Sequence, residues 1–355
     1  MSTSTTATRG AEEIPGAPRP ARSGTPRTAL VLVGCVAVLA LVCLLSLAYG
    51  SKVTPIGDVV AALLDEPDPY LAAVLDARVE RTLLAIGVGA ALALSGALMQ
   101  GVTVNPLADP GLLGINAGAA AAMVTATAFF GVATGTVTSA WVALLGGALA
   151  ALAVHTVGTA GGTGASMVRL VLAGAVVAAV LTAYVQAIAL SMPQHFDNYR
   201  FWVVGSLGDG GLDQLRSVLP FLLVGLVVAA LCSGALNALA LGSEAATGLG
   251  VNTALVRFAA FGAATLLCAS ATAAVGPIAF IGLAVPHIVR ALVGLDMRRQ
   301  LLTCLLVGPI VLLGADIVGR VVLRPHELMV GVVTAFVGAP ILLLAVRRLG
   351  RRAQA

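Results

Sequence analysis

Asp316 and Arg320 stand four residues apart inside an apolar run, the spacing at which two side chains meet on one helix face. A carboxylate in such a run serves as half of an ion pair or as a proton relay. A relay needs a second buried acid, and the other apolar runs supply none, so the pair reads as structural. His287 and Arg290 close another apolar run and read as interfacial. Arg78 and Arg81, three apart, share a helix face; they read either as arginines reaching for lipid headgroups or as a basic pad for an acidic partner. The histidines (155, 195, 287, 326) form no HxxxH or HExxH, and the cysteines (35, 43, 232, 268, 304) no CxxC. No protein-built metal site or other cofactor is expected, and the cysteines read as small buried hydrophobes. Lys52 is the only lysine, and Gly50-Ser51-Lys52 does not fit GxxxxGK[ST]. The chain thus carries no P-loop, and any ATP that drives it is hydrolysed by another subunit.

The elements holding these residues are set by composition. Of 355 residues, 59% are hydrophobic and 10% charged, and the mean hydropathy is +1.02. A soluble domain carries about 25% charge. Apolar runs of about 20 residues exclude a barrel, whose strands alternate over about ten. The fold class expected is an all-α integral membrane protein with about ten transmembrane helices. Residues 1–27 are rich in Thr, Pro, Ala and Arg and read as a disordered basic tail; 28–350 read as one membrane domain.

The first apolar run spans 28–50, and nine more follow at 82–100, 111–130, 137–157, 168–192, 218–240, 256–274, 278–294, 301–318 and 328–346. An even count puts both termini on one side. Thirteen arginines fall on the side of the tails and seven Lys/Arg on the other, which makes both termini cytoplasmic. The 51–81 loop then faces outward, with a short surface helix expected in IGDVVAALL. Gly89, Ala93, Ala97 and Gly101 recur every fourth residue as a close-packing face, a device repeated by Gly331, Ala335 and Ala339. Pro340 is expected to kink the last span. Asp109 before Pro110 reads as an N-cap that starts span three. Phe196, Tyr199, Phe201 and Trp202 read as interfacial anchors, or as the rim of an outward cavity. In LGSEAATGLGVN, Ser243 is expected to cap a short cytoplasmic helix from Glu244. Ala245 and Ala246 would leave it a smooth face, and Gly248 and Gly250 would end it, forming a knob for a partner's groove.

Several stretches closely resemble one family. They are RVERTLLAIGVGAALALSGALMQGVTVNPLADPGLLGINAGAA (78–120), W-x-x-G-S-L (202–207), LGSEAATGLGVN (241–252), VGPIAFIGLAVPHIVR (275–290), ADIVGR (315–320) and ELMVGVVTAFVGAPILLL (327–344). In order and spacing they are similar to the FecCD-type permeases of ABC importers, which move ferric siderophores, haem or cobalamin. The resemblance implies ten helices, a second permease subunit (identical or homologous), two cytoplasmic ATP-binding subunits and an extracytoplasmic substrate-binding protein. It implies that Arg78, Arg81 and Arg320 dock the binding protein, and that Glu244, Ala245, Ala246 and Gly250 form the coupling helix on the ATPase. Spans five and ten would line the path, with Gln186 and Thr334 as polar candidates. The sequence departs from the family at Glu80 (Pro in RxPR), Ala279 (Gly in GPIGF) and Met329 (Pro in ELPVG). The expected function is the permease subunit of a bacterial inner-membrane ferric-siderophore importer, in contact with lipid and a chelated-metal substrate and not with nucleic acid. Cobalamin or haem import, or an ion-driven secondary transporter, are the alternatives.

Overall fold

The computed structural model describes residues 25–50, 54–55, 57, 69–160, 167–208, 211–324 and 326–340. Nearly all of the basic tail, most of the expected surface helix at 56–64, the C-terminal arginines (347, 348, 351, 352) and any kink beyond Pro340 lie outside the described residues. The elements are α1 (Thr25–Ala48), α2 (Pro69–Thr103), a 3-10 turn (Pro110–Leu113), α3 (Ile115–Phe130), α4 (Val137–Thr159), α5 (Met167–Ser191), α6 (Pro193–Val204), α7 (Leu212–Leu239), α8 (Ser243–Gly248), α9 (Thr253–Val275), α10 (Ile281–Val293), α11 (Met297–Val322) and α12 (Val330–Pro340).

Within the described residues, each of the ten apolar runs falls largely on a helix. Among the described residues, seven helices (α1, α2, α4, α5, α7, α9 and α11) are long and apolar enough to cross a membrane, against the expected count of about ten. The remaining runs fall on α3, α10 and α12, which are apolar but shorter. For α10 the reason is local. Gly276 ends α9 at φ +77°, Pro277 follows, and the helix resumes only after Phe280, itself at φ +69°. Its 13 residues reach about 20 Å, short of a hydrocarbon core of about 30 Å.

The centre of the bundle is α2. Of its most apolar stretch 78% is buried, against 11% for α5 and 6% for α1. It packs on α7, α9, α10 and α11. The expected small-residue row faces α11, where a Cβ at Gly89 would come within 2.8 Å of the Gly308 carbonyl. On another face of α2, a Cβ at Gly96 would overlap the Gly282 carbonyl of α10. With no aqueous hydrophobic drive between helices in lipid, such close approach supplies the packing. On α12 the row holds at Gly331, which lies against the Val204 carbonyl. Further along, Gly338 makes the close approach, to Phe280, while Ala339 is exposed.

Two boundaries differ from expectation. Helix α2 starts at Pro69 rather than at 82, so much of the expected 51–81 loop is helical. Proline suits a first helical turn, and Leu71 and Leu75 pack on Leu44, Leu47 and Ala48 at the end of α1. Asp109 does cap a helix, accepting from the Gly111 N–H at 2.7 Å, but the helix is the 3-10 turn; Gly114 at φ +74° breaks it before α3 begins. Two of the expected interfacial aromatics, Tyr199 and Trp202, are instead buried in the core. The end of α6 threads between the α9–α10 turn and α12, with the Ser206 N–H donating to Val275 and the Gly331 N–H to Gly205.

Candidate functional site

The bundle has two ends of different chemistry. At one, α1 and α11 finish and the charged turns of α2 begin. Asp316, only 1% exposed, is shared by two arginines. Its Oδ1 accepts from Arg81 Nη2 at 2.7 Å and Nε at 3.2 Å, and its Oδ2 accepts from Arg320 Nη2 at 2.8 Å. Arg320, 2% exposed, also donates to the Ser46 carbonyl at 3.1 Å and to Ser46 Oγ at 2.8 Å. Ser46 Oγ meets Thr82 Oγ1 at 2.8 Å. Arg78 turns toward α1 as well, donating to the carbonyls of Leu47 (2.6 Å) and Ala48 (3.2 Å) and to Thr54 Oγ1 (3.1 Å).

The C-terminus of α1 explains this convergence. The last carbonyls of a helix have no partner within it, and that end carries partial negative charge. Arg78 and Arg320 satisfy Ser46, Leu47 and Ala48 there, tying α1 to α2 and α11. Arg81 completes the cluster on the exposed side, where its Nη1 donates to Glu327 Oε2 at 2.8 Å, with side-chain exposures of 16% and 33%.

The expected i,i+4 pair of Asp316 and Arg320 is therefore present, and Arg78, Arg81 and Arg320 do come together. Their guanidinium groups are largely engaged inside the bundle; Arg81 alone of the three keeps an appreciable exposed edge. The sequence reading missed Ser46 and Glu327, and the bond from Arg81 to Asp316, 235 positions away. Glu80, whose charge falls between the two α2 arginines in sequence, points instead toward Gly211. At the other end, Arg290 reaches into the bundle rather than along its surface. Its Nη2 donates to Gln100 Oε1 at 3.0 Å, and Gln100 Nε2 donates to the Leu283 carbonyl at 3.3 Å.

That second end also carries α8, packed on α7 and α9. The expected cap is corrected. Gly242, at φ +106°, occupies the N-cap position, while Ser243 is already helical and its Oγ accepts from Arg257 Nη2 at 2.8 Å. The expected smooth alanine face is corrected too. Successive residues on a helix point about 100° apart, so Ala245 is exposed while Ala246 is fully buried against the core. Gly250, at φ +81°, closes the turn with its N–H on the Thr247 carbonyl. The exposed surface thus carries Glu244 and Ala245, flanked by Leu241 and Leu249 at 70% and 66% exposure.

Of the polar path candidates, Gln186 is exposed on α5. Thr334 is buried, donates to the Gly331 carbonyl at 3.0 Å, and lines a cavity of about 350 Å³ between α10, α11 and α12 with Ile281, Val311 and Val337. Among the described residues no cluster of His, Cys, Asp and Glu is arranged to hold a metal.

Similarity to known proteins covers nearly all of this architecture. The ferric enterobactin transport system permease protein FepD of Escherichia coli is 47% identical over 321 residues, covering 90% of this chain and 96% of that protein. The probable siderophore transport system permease protein YfiZ of Bacillus subtilis is 38% identical over 273 residues, 77% of this chain and 82% of that one. A solved inward-facing structure of a metal-chelate type ABC transporter superposes with a TM-score of 0.78 at 27% identity, covering 90% of this chain and 99% of that one. The profile of the FecCD transport family matches residues 38–348, and the chain belongs to that family.

Proposed function

We propose that this chain is the membrane-spanning permease subunit of an ATP-driven importer of ferric siderophores in a bacterial inner membrane. The observation that carries the reading is similarity along nearly the whole chain to permeases of iron-chelate transport, 47% identical in the first case above. The subunit supplies a path and couples it to ATP hydrolysed by two separate cytoplasmic subunits; it performs no covalent chemistry itself. The seven long helices and the three shorter apolar ones make ten crossings, with both termini in the cytoplasm. The arginine end then faces outward and α8 faces the ATPase.

On this reading Arg81 offers its exposed edge to an acidic surface of the extracytoplasmic binding protein, and Arg78 and Arg320 support it from below. Glu244, Ala245 and Leu249 meet the ATPase. Ala246 and Gly250 hold that face in place. A second permease subunit, identical or homologous, covers the apolar face of α5, where Leu172, Val176, Val180 and Leu190 are each at least 60% exposed. Gln186 borders the path between the two subunits, and Thr334 reaches it through the cavity between α10, α11 and α12. The iron travels chelated, as cargo, and the chain needs no metal ligands of its own.

The test is uptake of radiolabelled ferric siderophores, with labelled cobalamin in parallel, in cells with and without this chain and with an ATPase-dead partner. Siderophore uptake that requires both the chain and the ATPase is the expected result. Uptake that collapses with an uncoupler but ignores the ATPase would establish an ion-driven transporter instead. Loss of cobalamin uptake alone would change the cargo and keep the machine.

A further inference from the structure

We propose that Glu327 is a built-in stand-in for the carboxylate of a docking partner, occupying the outer edge of Arg81 until an acidic protein surface displaces it. This rests on the docking reading above. A guanidinium presents its N–H donors in a rigid planar fork. On Arg81 the inner edge, Nε and Nη2, is committed to Asp316 at 2.7–3.2 Å, and Asp316 is 1% exposed. That grip fixes the direction of the remaining nitrogen. Nη1 points to the surface, where it meets Glu327 Oε2 at 2.8 Å.

The two carboxylates hold Arg81 with unequal strength. A buried pair is costly to break once made, whereas an exposed pair shifts an equilibrium only a few-fold. Asp316 is thus a permanent partner and Glu327, one-third exposed, a replaceable one. The backbone beside Glu327 is pinned, with the Leu328 N–H on the Gly319 carbonyl at 2.9 Å, so the exchange is a movement of the glutamate side chain. Gly208 lies beside this edge: a Cβ there would stand 3.4 Å from Arg81 Nη1. Glu327 also acts electrostatically on Arg78 and Arg320, so its charge offsets all three arginines at once. Swinging it away exposes the positive field of the cluster to the incoming acid. Glu327 precedes the start of α12 at Val330 by three positions, so the exchange takes place at the head of the helix that carries Thr334.

The test uses the full chain in lipid nanodiscs and a fluorescein-labelled decaglutamate peptide, read by fluorescence anisotropy at low and moderate salt. Four proteins are compared: the native chain, Glu327→Gln, Arg81→Gln, and the double variant. Expected are binding about two- to fivefold tighter for Glu327→Gln, weaker binding for Arg81→Gln, and no gain from Glu327→Gln in the Arg81→Gln background. If Arg81→Gln weakens binding but Glu327→Gln leaves it unchanged or weaker, the stand-in is overturned and the docking reading survives. If the gain persists without Arg81, removal of one negative charge explains it, and the stand-in is again overturned. If Arg81→Gln binds like the native chain, the docking reading fails at this residue and takes the stand-in with it. Should Arg81→Gln not fold, Arg81→Lys replaces it, keeping a charge for Asp316 while lacking the second donor edge.

Discussion

The two ends of the bundle have surfaces made in opposite ways. At the arginine end, side chains from α1, α2, α11 and the loop before α12 converge on one buried carboxylate, Asp316, and only Arg81 and Glu327 keep an appreciable exposed edge. At the α8 end the surface is a single turn of backbone. It is set by two glycines at positive φ and one buried alanine, with Glu244, Ala245, Leu241 and Leu249 left free to touch something else. One surface is part of the fold's own stability; the other is an appendage seated on it. Substitutions at the first should therefore disturb folding and function together, and substitutions at the second should separate them.

The sharpest break is Asp316→Ala. It leaves Arg81 and Arg320 as buried cations without their shared acid, a loss of about 3–5 kcal/mol. Thermal unfolding in detergent should show a large drop in midpoint, with the grip of Arg320 on the end of α1 loosened. An unchanged midpoint would mean that the cluster contributes nothing to the fold. Next is Gly96→Ala, inside the core between the two ends. The added Cβ overlaps the Gly282 carbonyl and must push α2 from α10, costing about 1–3 kcal/mol in the same measurement. Gly250→Ala should cost less, about 1 kcal/mol. The residue has open space around it, and the only penalty is its φ of +81°. A melting shift for Gly250→Ala as large as that for Gly96→Ala would contradict the description of α8 as an appendage.

These differences track what could be read from the sequence. Hydropathy is summed over a local window, and within the described residues each of the ten apolar runs landed largely on a helix. Their ends were less legible where packing decides them. Pro69–Thr103 extends well ahead of its apolar core because Leu71 and Leu75 pack on the end of α1. Asp316 and Arg320, four apart, were legible as a pair, whereas the stronger grip of Asp316 on Arg81 bridges 235 positions and leaves no local trace. On α8 the position of the helix was legible, but not which alanine is buried. One residue of helical rotation separates Ala245 from Ala246, and the contact with the core that chooses between them is tertiary. Leu241 and Leu249 were read as loop residues, and their exposure depends on how α8 seats on α7 and α9, which leaves no local trace.

The smallest expected effect on stability belongs to Glu244→Arg, and it bears most directly on the contrast between the ends. Glu244 is exposed in the first turn of α8, and the neighbouring contacts that seat the helix do not use its side chain. Ala246 is buried, Ser243 Oγ bonds Arg257, and the Val251 N–H bonds the Ala246 carbonyl. The melting midpoint should stay within error of the native value. Uptake of labelled ferric siderophore should nevertheless fall to a small fraction of native. On the proposed coupling role, reversing the charge alters the face that would meet the ATPase, and it places a cation at the positive end of a helix. A parallel Ala245→Leu substitution, which enlarges the same face without changing charge, should reproduce the loss if fit matters, whereas normal uptake in both variants would remove α8 from the coupling path. A large fall in the midpoint for Glu244→Arg would show instead that this end, too, is woven into the fold.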